Sequence, residues 1–276
     1  MQPLATTHVM SRQVQKFLVF TPLAALDSAL RVVPWAATGW TWRDPRTLVL
    51  AVDTSLRWHD GRPVTAADAA FTLTLARDTL VAWSRRGELD GVDAEARGVD
   101  TLVLRFARPP GGVPPVLAEL PLLPAHHLRD ADRARLREAP FTTAPVGSGP
   151  YRVVSREAGR RWVLAREPRF PARLGGPGAS ARIVIAVVDE ATTKVAGLVS
   201  GALDMAGVNP ATAALVRRDP TLRLVTYPTL FTNWLVFTAA RPPFDDVRVR
   251  RAVALALDRR RLVDGGVGGF ATPSAA

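Results

Sequence analysis

Leu56-Arg57-Trp58-His59-Asp60-Gly61-Arg62-Pro63-Val64-Thr65-Ala66-Ala67-Asp68 is the stretch that decides the fold, because it joins a predicted strand, a tight turn and a capped helix. Gly61 supplies the permissive backbone that the turn needs, and Pro63 keeps the preceding residue extended. Thr65 is the expected N-cap, with its hydroxyl accepting from the backbone N–H of Asp68, whose carboxylate reaches back toward Thr65. Turns and capping boxes are structural devices, so we expect this stretch to be scaffold rather than a site.

Hydrophobic periodicity predicts the elements on either side of this stretch. Caps are expected at Asp189, Asn209, Asp245 and Asp258, each at the start of a helix. The predicted helices cover 11–19 and 66–78, the predicted strands cover 47–53, 99–107, 183–188, 222–227 and 232–238, and a hairpin turns near 158–159.

Composition and charge argue against a nucleic-acid-binding protein. The 276 residues are 47% hydrophobic, which is normal for a globular protein, and the net charge is +11, from 36 Lys+Arg and 25 Asp+Glu. Lys16 and Lys194 are the lysines of the chain, and the arginines are scattered rather than clustered in a stripe. We therefore expect no nucleic-acid partner.

The residues that usually carry catalysis or metal binding do not form a recognisable pattern. Without cysteine, a disulfide, a thiolate metal site and a cysteine nucleophile are all excluded. Gly147-Ser148-Gly149 lacks the nucleophile elbow of hydrolases, and 265–269 lacks the Lys-Ser/Thr of a phosphate loop. His126 and His127 are adjacent, with no carboxylate at ligand spacing, and His59 is expected at the surface of its turn. We predict no enzyme, no catalytic residue, no metal ligand and no cofactor.

The opening stretch resembles the W-x-D-G-x-P-[VFL]-T-A-x-D-V signature of family 5 extracellular solute-binding proteins, the peptide and nickel receptors of ABC importers. Residues 122–128 resemble the family's L-P-[IL]-[LV]-P-x-H, and residues 145–151 resemble P-x-G-T-G-P-Y, with Ser148 in place of the usual Thr. Residues 242–259 resemble P-F-[DN]-D-x-[RK]-V-R-x-A-[LI]-x-x-A-[IL]-[DN]-R. In Gly201-Ala202-Leu203-Asp204, Ala202 stands where the family usually has an acidic residue.

This resemblance implies a mixed α/β fold: one periplasmic-binding-protein-like class II lobe with a smaller antiparallel subdomain inserted into it. Residues 1–20 and 125–266 are then the main part, residues 21–124 the inserted subdomain, and residues 267–276 the start of the crossing to a second lobe. We expect that second lobe to be missing from this chain. Residues 1–20 also lack the uninterrupted apolar core of a secretory signal.

The function implied by the resemblance is that of a monomeric substrate-binding component of an ABC importer, working in the periplasm or outside the cell. It binds oligopeptides or a similar small solute for a membrane permease; nickel-chelate, sugar and opine receptors share the same motifs. The alternative is a truncated remnant that only acts as a scaffold. Because the family encloses its ligand between two lobes and excludes water, one lobe is expected to bind weakly or not at all.

The resemblance places ligand contacts on three segments. Tryptophan offers a large stiff ring for stacking, and arginine can pair bidentately with a carboxylate. The alternatives are that both tryptophans belong to the core and that the arginine lies in a solvated loop. The candidate ligand-binding residues are His8, Met10, Trp83, Arg85, Thr232, Asn233 and Trp234.

Overall fold

The computed structural model describes residues 2–6, 8–227 and 232–274. The chain divides into two compact units, Met1–Val187 and Val188–Ala276. The division inferred from the resemblance, with residues 21–124 as an inserted subdomain, stays a prediction. Among the described residues, helices are either too short or too polar to span a bilayer.

Antiparallel sheets dominate the first unit, as expected for a mixed α/β lobe. In its described part, one sheet has the order β1-β2, a second β3-β4-β6-β5 and a third β7-β8-β9. The strands are β1 Ala24–Leu26, β2 Val32–Pro34, β3 Ala37–Asp44, β4 Thr47–Val52, β5 Val92–Arg97, β6 Thr101–Phe106, β7 Tyr151–Glu157, β8 Arg161–Arg166 and β9 Arg182–Ala186. The predicted strands at 47–53, 99–107 and 183–188 and the hairpin near 158–159 are confirmed.

The helices of the first unit are short except for one. They are α1 Val9–Val14, which continues into a π-helical turn at Gln15–Val19, α2 Ala66–Arg77, α3 Val116–Glu119 and α4 Ala125–Leu128. Single 3-10 turns lie at Arg86–Leu89, Leu136–Glu138, Pro140–Thr142 and Ala172–Leu174. Both predicted helices of this unit, 11–19 and 66–78, are confirmed.

The core of the first unit lies between the four-stranded sheet and α2. Leu48 pairs with Leu104 and Leu50 with Leu102 across β4 and β6, and all four side chains are fully buried. Leu73 of α2 belongs to the same core. Each such leucine contributes about 1.5–3 kcal/mol through burial. Alternation in the strands and helical spacing in α2 therefore agree on one buried face.

The opening stretch forms the predicted cap. The Thr65 hydroxyl accepts from the Asp68 N–H, and Asp68 Oδ2 accepts from the Thr65 N–H at 3.0 Å. Oδ2 also accepts from the indole N–H of Trp58 at 3.3 Å, and Oδ1 accepts from the Ala125 N–H at 2.9 Å. Trp58 is fully buried and Asp68 is 6% exposed. One carboxylate thus joins the cap of α2, the turn and the first residue of α4.

His59 locks a second part of the scaffold, and the prediction of a surface histidine is wrong. Its Nδ1 accepts from the Gly147 N–H at 3.2 Å, and its Nε2 lies 3.0 Å from the Gly149 carbonyl oxygen, to which it donates. Its backbone N–H donates to the Gly147 carbonyl at 2.7 Å. Burial lowers the pKa of His59, and the hydrogen bond to Gly149 offsets this only in part. The ring is therefore a neutral link between the turn and the glycine segment.

The described part of the second unit contains four helices: α5 Ala191–Val199, α6 Pro210–Arg218, α7 Val247–Ala256 and α8 Arg259–Val267. The caps predicted at Asn209 and Asp258 are confirmed, since each side chain accepts from a backbone N–H three residues on, at 2.9 and 3.0 Å. Two other caps lie one residue later than predicted. Glu190 stands at the N-cap of α5 without a side-chain bond, and Asp246 caps α7.

The strands predicted at 222–227 and 232–238 are wrong. The described residues of both segments are irregular and form no ladder bonds. Several of their apolar side chains are exposed, among them Val225, Leu235 and Val236, the last at 84%. Strand-like alternation becomes a strand only where a neighbour takes up the ladder bonds, and no described segment of this unit does so.

Candidate ligand-binding site

His8 and Met10 lie at the start of the first helix. The imidazole of His8 caps α1, with Nδ1 accepting from the Ser11 N–H at 3.4 Å. Met10 is 58% exposed, and Phe17, further along the same helical segment, is 60% exposed. The helical segment therefore presents two large apolar side chains to solvent, Met10 two residues after the cap and Phe17 near its C-terminal end.

Arg85 is the predicted site residue with the most extensive contacts. It forms a bidentate pair with Glu88, at 2.5 and 2.9 Å, and lies 3.4 Å from a carboxylate oxygen of Glu119. Hydrogen bonding to Glu88 raises the pKa of Arg85. Glu119 also pairs with Lys16 at 2.6 Å and approaches Arg12 at 3.8 Å. We name these five residues the Glu119 cluster.

The elements explain how the Glu119 cluster assembles. Arg12 and Lys16 are four residues apart on the first helical segment, so both reach the same side of it. Glu119 is the last residue of α3, and Arg85 directly precedes a 3-10 turn. Three cations face two carboxylates, which leaves one net positive charge at a partly exposed position. The centroid of the exposed Phe17 ring lies 4.8 Å from Lys16 Nζ. A cationic cluster beside an exposed aromatic ring suits a small solute that carries both a carboxylate and an apolar part.

Of the five residues of the Glu119 cluster, Arg85 was a candidate from the sequence, whereas Arg12, Lys16, Glu88 and Glu119 were not. The available signal was the Arg12 and Lys16 spacing on one predicted helix, together with the rarity of lysine in an arginine-rich chain. Glu119 had no local signal, because it lies 103 residues from Lys16 and is brought there by the fold.

Trp83 and Trp234 occupy different environments. Trp83 is packed in the core of the first unit and is 8% exposed, which leaves little ring face for a ligand. In the second unit, Trp234 is 70% exposed, and the neighbouring Thr232 and Asn233 are also exposed. The roles of all four candidates named here and of Arg85 in ligand binding stay predictions.

Comparison with known proteins identifies the family. The sequence profile described as "Bacterial extracellular solute-binding proteins, family 5 Middle" matches residues 31–276. The chain belongs to this family. Its members are solute-binding proteins of transporters, which are not a class of enzymes.

Similar sequences carry related names. A putative ABC transporter peptide-binding protein of Brucella ovis is 26% identical over 220 residues, which are 79% of this chain and 41% of the relative. A probable peptide ABC transporter periplasmic-binding protein of Sinorhizobium fredii is 27% identical over 281 residues, covering 95% of this chain and 51% of the relative. The chain thus spans about half the length of these relatives.

Solved structures share the fold. The oligopeptide-binding protein AppA of Bacillus subtilis, in complex with a nonapeptide, has a TM-score of 0.84 at 22% identity, over 98% of this chain and 53% of that one. NikZ of Campylobacter jejuni, in complex with Ni(L-His), has a TM-score of 0.82 at 21% identity, over 92% and 51% of the two chains. The expected lobe of a family 5 protein is confirmed.

Proposed function

We propose that this chain acts in an ABC importer as its substrate-binding component, taking up an oligopeptide or a similar small solute outside the cytoplasm and delivering it to a membrane permease. The carrying observation is the family match over residues 31–276. We also propose that the protein works as a monomer, without enzymatic activity and without a nucleic-acid partner.

The charges of the Glu119 cluster indicate which chemical groups of a solute this chain would bind. A ligand carboxylate that approaches Arg85, Arg12 or Lys16 competes with Glu119 for the same donors. The side chains of Lys16 and Arg85 are 14% and 26% exposed, so their charges are screened less than those of freely solvated residues. Phe17, which is 60% exposed and whose ring centroid lies 4.8 Å from Lys16 Nζ, offers an apolar contact next to this cluster. We infer a solute with a carboxylate near an apolar group, as at the C-terminus of a peptide.

The test is to titrate four solutes separately into the purified 276-residue chain and to monitor binding by ¹H–¹⁵N NMR. The solutes are a tripeptide with a free C-terminus, the same tripeptide amidated, nickel with L-histidine, and a neutral oligosaccharide. Saturable shifts with the free tripeptide, weaker than micromolar and reduced by amidation, support the proposal. Saturation by none of the four contradicts binding by this chain and favours the scaffold-only alternative. Saturation by the oligosaccharide alone contradicts carboxylate recognition.

A further inference from the structure

A triad outside the Glu119 cluster is formed by Asp60, His126 and His127. Nε2 of His126 lies 2.7 Å from Asp60 Oδ2, and Nε2 of His127 lies 3.1 Å from the same oxygen. One ligand atom from each side chain falls within 4.8 Å of the other two. Asp60 comes from the turn of the opening stretch and the histidines from α4, which explains why the spacing of the two histidines alone predicted no metal.

The chemistry of these three groups is that of a metal-binding set. Two imidazole nitrogens and one carboxylate oxygen suit divalent zinc and its neighbours in the first transition series. In a tetrahedral site with metal–ligand distances of about 2.0–2.1 Å, the ligand atoms are about 3.3 Å apart. The two nitrogen–oxygen distances are already close to that value, so a metal that replaces the bridging protons requires only a small widening.

The surroundings leave the triad free to bind an ion. Its side chains are 18%, 40% and 27% exposed for His126, His127 and Asp60, which gives an ion access and leaves room for a water as a fourth ligand. Within the described part of the chain, the ion pairs of Asp60 are those with the two histidines. Its other carboxylate oxygen accepts from the Arg62 N–H at 3.2 Å, which fixes the orientation of the group.

We propose that Asp60, His126 and His127 form a site for a divalent transition-metal ion. Zinc is the ion that this ligand set matches best. The bound ion would join the turn of the opening stretch to α4. This site is separate from solute binding and does not depend on it. Metal binding there stabilises the folded first unit, because the unfolded chain does not hold the three ligands together.

The test uses the untagged 276-residue chain, stripped with a chelator, and ZnCl₂ as the probe in isothermal titration calorimetry. We expect one equivalent to bind with micromolar or tighter affinity and to raise the melting temperature. His127→Gln should weaken binding at least about tenfold, in line with the sensitivity of metal sites to their ligand shells. His127 is 40% exposed, so this variant is expected to fold, which a melt without metal checks.

His8→Gln is the matched control, since His8 is exposed and caps a different helix. Unchanged affinity in His8→Gln beside a loss in His127→Gln supports the site. The proposal is overturned if the wild-type chain shows no stoichiometric zinc binding, if binding survives in His127→Gln, or if both variants lose it equally. Co²⁺ added to the wild-type chain should also give the absorption of a tetrahedral complex, and its absence overturns the coordination geometry.

Discussion

Asp68→Ala is expected to be among the most destabilising single substitutions in the first unit. The substitution removes the acceptor for the Thr65 N–H, the Trp58 indole N–H and the Ala125 N–H, at 3.0, 3.3 and 2.9 Å. Loss of a helix cap costs about 1 kcal/mol, and each buried donor left without an acceptor costs about 1–3 kcal/mol. Because entering water can satisfy part of this loss, we expect a decrease of about 3–5 kcal/mol in the free energy of unfolding.

The assay is urea unfolding followed by circular dichroism and tryptophan fluorescence. Asp93→Ala is the matched control, because Asp93 is an exposed aspartate that pairs with Arg105 at 3.5 Å, and such exposed pairs contribute about 0–1 kcal/mol. A cost for Asp68→Ala below about 1 kcal/mol, or no larger than that of Asp93→Ala, would show that the carboxylate does not hold the turn, the cap and α4 together.

Three further predictions test other parts of the structure. Gly147→Ala places a Cβ on the carbonyl oxygen of Val19, so we expect a large drop in melting temperature, whereas Gly159→Ala, in an open hairpin turn with positive φ, should cost only about 1 kcal/mol. The pKa of His59 is lower in the folded protein than in the unfolded chain, so the unfolded chain binds the proton first as the pH falls. The free energy of unfolding should therefore keep its full value above about pH 6.5 and decrease as the pH drops from there through the folded pKa. His59→Gln should remove this pH dependence. Glu119→Gln leaves three cations without their shared carboxylate, so urea unfolding should show a loss of about 1 kcal/mol, while the affinity for a free peptide carboxylate should rise; a fall in that affinity would contradict the competition between Glu119 and the ligand.

Local physics made much of the first unit and two helix caps of the second unit predictable. The turn, the capping box of Thr65 and Asp68, the alternation in β4 and β6, and the caps at Asn209 and Asp258 each depend on residues close in sequence. The stretch at 56–68 was expected to be scaffold, and its hydrogen bonds are those of a scaffold. Its role is wider than its sequence indicated, because Asp68 also accepts from the backbone N–H of Ala125 in α4, and Asp60 is hydrogen-bonded to His126 in the same helix.

The parts that sequence analysis missed depend on contacts between distant residues. The pairing of Glu119 with Lys16 and the approach of Asp60 to His126 and His127 join positions more than 60 residues apart. The two strands predicted in the second unit are wrong for a related reason. Their alternation is strand-like, but a strand also needs a neighbour, and local pattern carries no information about one.

Solute binding at the Glu119 cluster is tested most directly by one comparison of dissociation constants. The free tripeptide is titrated into the wild-type chain, into Arg85→Ala, and into Arg97→Ala as the control, since Arg97 is an exposed arginine paired with Glu95. We expect saturable binding to the wild type and to Arg97→Ala, and binding at least tenfold weaker to Arg85→Ala. Equal affinity in all three proteins would contradict a ligand site at this cluster.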